Sequence, residues 1–142
     1  MNSSRIFLIL LICLSVLHSV SQTAPVTMAG TITNATPGAA TIPVTVTGFV
    51  NVGKFTLHMT YNPGRLTYTG FTGNAAFPAM TVTNTIISST LARLNITWNG
   101  VSANYNLPDL TTLLQLHFNY VTGTSYVNFS TTATGAYVCR YW

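Results

Sequence analysis

Acid is what this sequence has least of. Among 142 residues Asp109 is the only carboxylic side chain, and charged residues make up 4% of the chain, against about 25% in an ordinary soluble domain. A pair of carboxylates for glycoside hydrolysis is therefore impossible. A carboxylate-rich calcium loop and a two-metal phosphoryl site are excluded for the same reason. Base is scarce as well. The five cationic residues, Arg5, Lys54, Arg65, Arg93 and Arg140, are scattered and form no stripe along which a phosphate backbone could lie. The net charge of +4 thus reflects missing acid rather than added base, and no nucleic-acid partner is expected. Two cysteines, Cys13 and Cys139, are too few for a disulfide scaffold. Nor is there an apolar run of about 20 residues, the length that crosses a bilayer.

What is present begins with a leader. Met1-Asn2-Ser3-Ser4-Arg5 is a short positive start, Ile6 to Leu17 is apolar apart from Ser15, and Ser19-Val20-Ser21 supplies small residues. This is the pattern of a secretory signal peptide. It predicts a leader over 1–21, one mature domain over 22–142, and a secreted, extracellular product with no membrane span, with attachment to the cell surface as an option. Ile12 stands before Cys13, where a lipoprotein signal needs a small residue. Cleavage would remove Arg5 and Cys13 and leave Cys139 alone, so no intrachain disulfide is expected. Cys139 is then either a small buried strand residue or a link to another chain. The remaining chain of about 120 residues can bury one core and not two.

Side chains alternate with period two, and helical periodicity is missing. Ile42, Val44 and Val46 alternate with Pro43, Thr45 and Thr47, and Phe55, Leu57, Met59 and Tyr61 with Lys54, Thr56, His58 and Thr60. The pattern returns at Leu94, Ile96 and Trp98, at Leu114, Leu116, Phe118 and Tyr120, and at Val127 and Phe129. Threonine-dense stretches at 26–33, 66–71 and 80–87 add strands in which Gly30, Gly70 or Asn84 breaks the apolar parity, as bulges do. Turn residues separate them: 34–40, 48–53, Asn62-Pro63-Gly64, 73–78, Asn99-Gly100, 106–109 and Gly123. Eight or nine short strands, each with one wet face, predict an all-β antiparallel sandwich.

The segments Ile42-Pro43-Val44-Thr45-Val46 and Phe55-Thr56-Leu57, leading into Tyr61-Asn62-Pro63-Gly64-Arg65-Leu66, resemble the second to fourth strands of cohesin domains. Leu113-Leu114-Gln115-Leu116-His117-Phe118, then Gly123 and Val127-Asn128-Phe129, are similar to that family's leucine-rich penultimate core strand, its glycine-containing turn and the strand after the turn. The resemblance covers about residues 26 to 138. It implies a jelly-roll β-sandwich, related in fold to cellulose-binding-type carbohydrate-binding modules, that acts as a non-catalytic binding or assembly module without a cofactor. It also implies a protein partner, dockerin-like or another surface protein. Lys54 and Thr56 stand where dockerin-binding cohesins carry an Asn and an Asp. Family members also continue past the strand near Val127 with a further strand beside the first, whereas this sequence stops at Tyr141-Trp142. Either the sequence is part of a longer surface protein, or it lacks its last strand and leaves an open edge through which copies could self-assemble by strand addition as subunits of an extracellular fibre.

Outward parity gathers Lys54, Thr56, His58, Arg93, Asn95, His117 and Asn119 as one polar partner-binding face. His58 and His117 could share a metal, but two ligands fall short of the three or four a tight site needs, and no metal is expected. No Gly-x-Ser-x-Gly elbow accompanies the single acid, so hydrolysis is not expected. Binding of polysaccharide is the alternative, with Tyr105 and Tyr126 as the free aromatic rings, Tyr68 nearby, and Trp98 if it escapes the core toward which its parity points. Asn34, Asn95 and Asn128 begin Asn-x-Ser/Thr sequons and are candidate glycosylation sites.

Overall fold

The computed structural model describes residues 25–32, 35–100, 105–130 and, for the backbone alone, 140–141. The leader, Cys13, Cys139 and the sequon at Asn34 lie outside these residues. Nine strands are present: β1 (Val26–Ala29), β2 (Gly38–Thr47), β3 (Val52–Tyr61), β4 (Leu66–Gly73), β5 (Thr81–Ile86), β6 (Ala92–Asn99), β7 (Thr111–Tyr120), β8 (Asn128–Phe129) and β9 (Arg140–Tyr141). They form two antiparallel sheets. The first runs β1-β2-β7-β4 and the second β5-β6-β3-β8, with β9 also paired to β3. Most connections cross from one sheet to the other, so the strands wind around the core as a jelly roll.

The alternation decides which side chains face inward. Along β3, Phe55, Leu57, Met59 and Tyr61 are buried while Lys54, Thr56, His58 and Thr60 are half-exposed. Leu94, Ile96 and Trp98 of β6 oppose Val44 and Val46 of β2 and Leu114, Leu116 and Phe118 of β7 in one continuous core. At one end of that core Phe49, Phe55, Phe77 and Trp98 stack, with the Phe77 and Trp98 ring centroids 4.7 Å apart and their planes at 89°, the edge-to-face arrangement aromatic quadrupoles favour. The Trp98 Nε1–H donates to the Pro78 carbonyl at 2.9 Å.

The corner after β3 forms as its residues require. Tyr61 ends the strand with its ring against Phe118, Pro63 has no N–H to extend the ladder, and the Asn62 carbonyl accepts the N–H groups of Arg65 and Leu66. Leu66 then starts β4 in the other sheet, paired with Tyr120.

The bulge expectations divide. At Gly70 the register of β4 on β7 does shift, at a φ of 152° that suits glycine. At Asn84 there is none, because β5 pairs residue by residue with β6 from Thr81 to Ile86. Gly30 lies just past β1, and its N–H still bonds Pro43 at 2.8 Å. A Cβ there would meet the Pro43 ring at 2.8 Å, so close approach rather than a bulge calls for glycine. A further shift, at Val44/Thr45 against β7, allows Leu113 and Leu114 both to be buried. β2 also starts inside the stretch read as a turn, because Gly38 to Ala40 find partners on β7.

The edges differ from expectation as well. β8 covers β3 only at Met59 and Thr60. Arg140 and Tyr141 take up the ladder farther along the same edge, opposite Lys54 and Val52. β9 therefore lies beside β3 and not beside β1, and among the described residues no strand pairs the outer edge of β1.

Candidate functional site

The outer face of the second sheet is polar in every row. Register places Arg93 between Thr85 and Thr60, Asn95 between Thr83 and His58, Thr97 between Thr81 and Thr56, and Asn99 beside Lys54. Outward parity on three neighbouring strands follows from the inward parity of the core. Thr81 and Thr97 join hydroxyls across the strands at 2.7 Å. At the centre, the cross-strand neighbours His58 and Asn95 each hold a buried polar atom, Nδ1 and Oδ1, with no hydrogen-bond partner. Beside them lies a shallow cleft of about 270 Å³, between Lys54, Thr56, Ala79, Thr81 and Thr97. Among the residues whose side chains are described, Lys54 and Arg93 supply the charge of this face, and the backbone of Arg140 pairs beside Lys54. Asp109 sits elsewhere, its carboxylate accepting the Gly48 N–H at 2.7 Å.

Five of the seven residues gathered by parity thus share this face: Lys54, Thr56, His58, Arg93 and Asn95. His117 and Asn119 do not, because β7 belongs to the first sheet and the same outward parity turns them to the opposite side of the molecule. Parity fixes the side of a sheet, not which sheet. His117 is already occupied: its Nδ1 lies 3.2 Å from the Thr41 hydroxyl and its Nε2 2.9 Å from that of Thr72. It ties β2, β7 and β4 together. A metal shared by His58 and His117 is ruled out by the core between them, and no group of three or more His, Cys, Asp or Glu side chains suits a metal among the described residues.

The aromatic platform is not assembled. Trp98 is buried. Tyr105 packs edge-on against it, with centroids 4.6 Å apart, and its carbonyl accepts the Val52 N–H at 3.0 Å, so Tyr105 belongs to the core margin instead of a free surface. Tyr68 leans on Phe118. Tyr126 alone of the four is open, at 70% exposure. Of the sequon residues, Asn128 is exposed on β8 and Asn95 is half-buried in the polar face.

Two features had no single-residue signal in the sequence. One is the clamp at His117. The other is a groove of about 730 Å³ between β1 and the segment leading into β8, lined by Met28, Ile32, Tyr120, Tyr126 and Val127 among others. Both arise where distant segments meet. Among ionisable groups, burial pushes the Tyr61 hydroxyl above its ordinary value, opposed in part by its bond to Asn84. Burial, and after it the neighbouring Tyr61, does the same to Tyr68.

Solved structures share this architecture. The sixth cohesin of scaffoldin B from Acetivibrio cellulolyticus, captured with a mutant Cel5 dockerin, superposes with a TM-score of 0.61 at 16% identity, covering 78% of this chain and 84% of that one. The chain has the cohesin fold. The seventh type I cohesin of ScaB from Pseudobacteroides cellulosolvens matches at a TM-score of 0.54 and 9% identity over 74% of each chain. A non-cellulosomal cohesin from the archaeon Archaeoglobus fulgidus matches at 0.50 and 12% identity, over 77% of this chain and 75% of that one. No protein-family model and no curated protein matches the sequence. The fold is thus shared with these structures at 9–16% identity.

Proposed function

We propose that this protein is a secreted, non-catalytic cohesin-like module that docks a protein partner, dockerin-like or another surface protein, on the outer face of its second sheet. The observation that carries the reading is the pair of unpartnered polar atoms, His58 Nδ1 and Asn95 Oδ1, at the centre of that face. A buried polar atom without a partner is costly, and a docked surface relieves that cost by drawing the two half-exposed side chains outward into its own hydrogen bonds. The fold adds support, since a cohesin of the same architecture was captured with a dockerin. Hydroxyls and amides on Thr56, Thr83, Asn95 and Thr97 suit a hydrogen-bonded interface.

A second reading is favoured by the groove beside β1. Its apolar lining, and an edge of β1 that no described strand pairs, suit an extended strand from another copy. The polysaccharide reading lacks comparable support, because only Tyr126 of its rings is exposed.

One experiment separates these readings. A photo-cross-linking residue is placed in turn at Thr83 on the second sheet, Gln115 on the first, and Met28 on β1, in the producing cell. Docking on the second sheet gives one heterologous product from Thr83 and none from Gln115, and this product disappears in the folded H58A/R93A variant. Self-linked dimers from Met28 alone would replace that reading with strand addition.

A further inference from the structure

The charges on the second sheet's outer face bear on the partner's chemistry. Lys54 stands beside Asn99, and Arg93 is six positions along β6 from Asn99, which places the two cations about 20 Å apart at the strand rise. Neither side chain has a hydrogen bond or ion pair with another described residue. The single acid of the chain, Asp109, is bonded to Gly48 away from the face. While the face is open, water solvates both cations. Docking strips that water, and a cation covered by a neutral or basic surface is left uncompensated, whereas an opposing carboxylate restores its partner.

We infer that the surface docked here is acidic, with carboxylates about 20 Å apart that meet Lys54 and Arg93 and with hydroxyls or amides between them facing His58 and Asn95. The inference rests on the docking reading above. It also sets a second copy of the chain aside as the occupant of this face, because a copy brings the same cations and one acid committed elsewhere. Recognition is then salt-dependent at the two ends of the face and hydrogen-bonded in its middle.

The test uses the isotope-labelled domain and three synthetic amphipathic helices of about 21 residues, alike except at two same-face positions about 14 residues, or 21 Å, apart. These positions carry Glu, Gln or Lys. The Glu helix should shift the backbone amides of Lys54, Thr56, His58 and Asn95, bind roughly tenfold tighter than the Gln helix, and weaken as salt rises. The K54E/R93E variant should prefer the Lys helix instead, and K54Q/R93Q should lose the preference while keeping the same fold in its spectrum. Equal binding of the Glu and Gln helices on these amides would overturn the acidic partner and leave the docking face standing. Shifts confined to other surfaces, or no shift with any helix, would overturn both.

Discussion

His58 and His117 have the same parity, each between apolar residues with polar ones two positions away, and opposite situations. The ring of His117 is held at both nitrogens by hydroxyls of residues 76 and 45 positions away, whereas the Nδ1 of His58 has no partner. The first ties three strands together; the second holds a buried nitrogen without a bond, and it is the one the docking proposal calls on. H117A should therefore lower stability by about 1–2 kcal/mol, the worth of two modest hydrogen bonds, as read by urea unfolding, without altering the Thr83 cross-link. Outward parity of both residues was legible in the sequence. The difference between them was not, since it depends on which strands flank β3 and β7. The same holds for the aromatics. The inward parity of Trp98 was readable, while the packing of Tyr105 onto Trp98 arises from a loop that returns to the β3 edge at Val52.

At the scale of the element, the alternating strands were legible because each buries one face, and a slip of one residue would turn that face to water. The corner from Tyr61 to Leu66 was legible for a different reason: a proline and two local hydrogen bonds to the Asn62 carbonyl make it a local structure. Bulges are less local. Gly70 and Asn84 interrupt parity alike, yet only Gly70 shifts register, because β4 must fit a fixed neighbour in β7 while β5 follows β6 directly. A Cβ at Gly70 would meet nothing within 4 Å, so the cost of G70A is conformational. It should destabilise the fold by about 1–3 kcal/mol in the same unfolding measurement, with the second-sheet face unchanged in its amide spectrum.

For the whole molecule, one core binds the two sheets, and its polar exceptions tie stability to pH. The Tyr61 hydroxyl, pushed up by burial, donates to Asn84 at 2.9 Å, and Tyr68 is raised likewise. The folded state thus keeps protons that the unfolded chain releases at a pH of about 10. Their contribution is complete below that pH and is lost as pH rises through the raised values. Urea unfolding at pH about 8 and about 11 should show the decline, and Y61F should flatten it while costing about 1 kcal/mol at the lower pH. A variant as alkali-sensitive as the parent would remove Tyr61 from this account. The all-β alternation, the inward residues and the scarcity of acid were already written in the sequence, because period-two burial and composition are properties of neighbouring residues. Which polar residues share a face, which histidine is already satisfied and which edge has no partner among the described strands became visible in the folded chain, because each depends on pairing between segments far apart in the sequence.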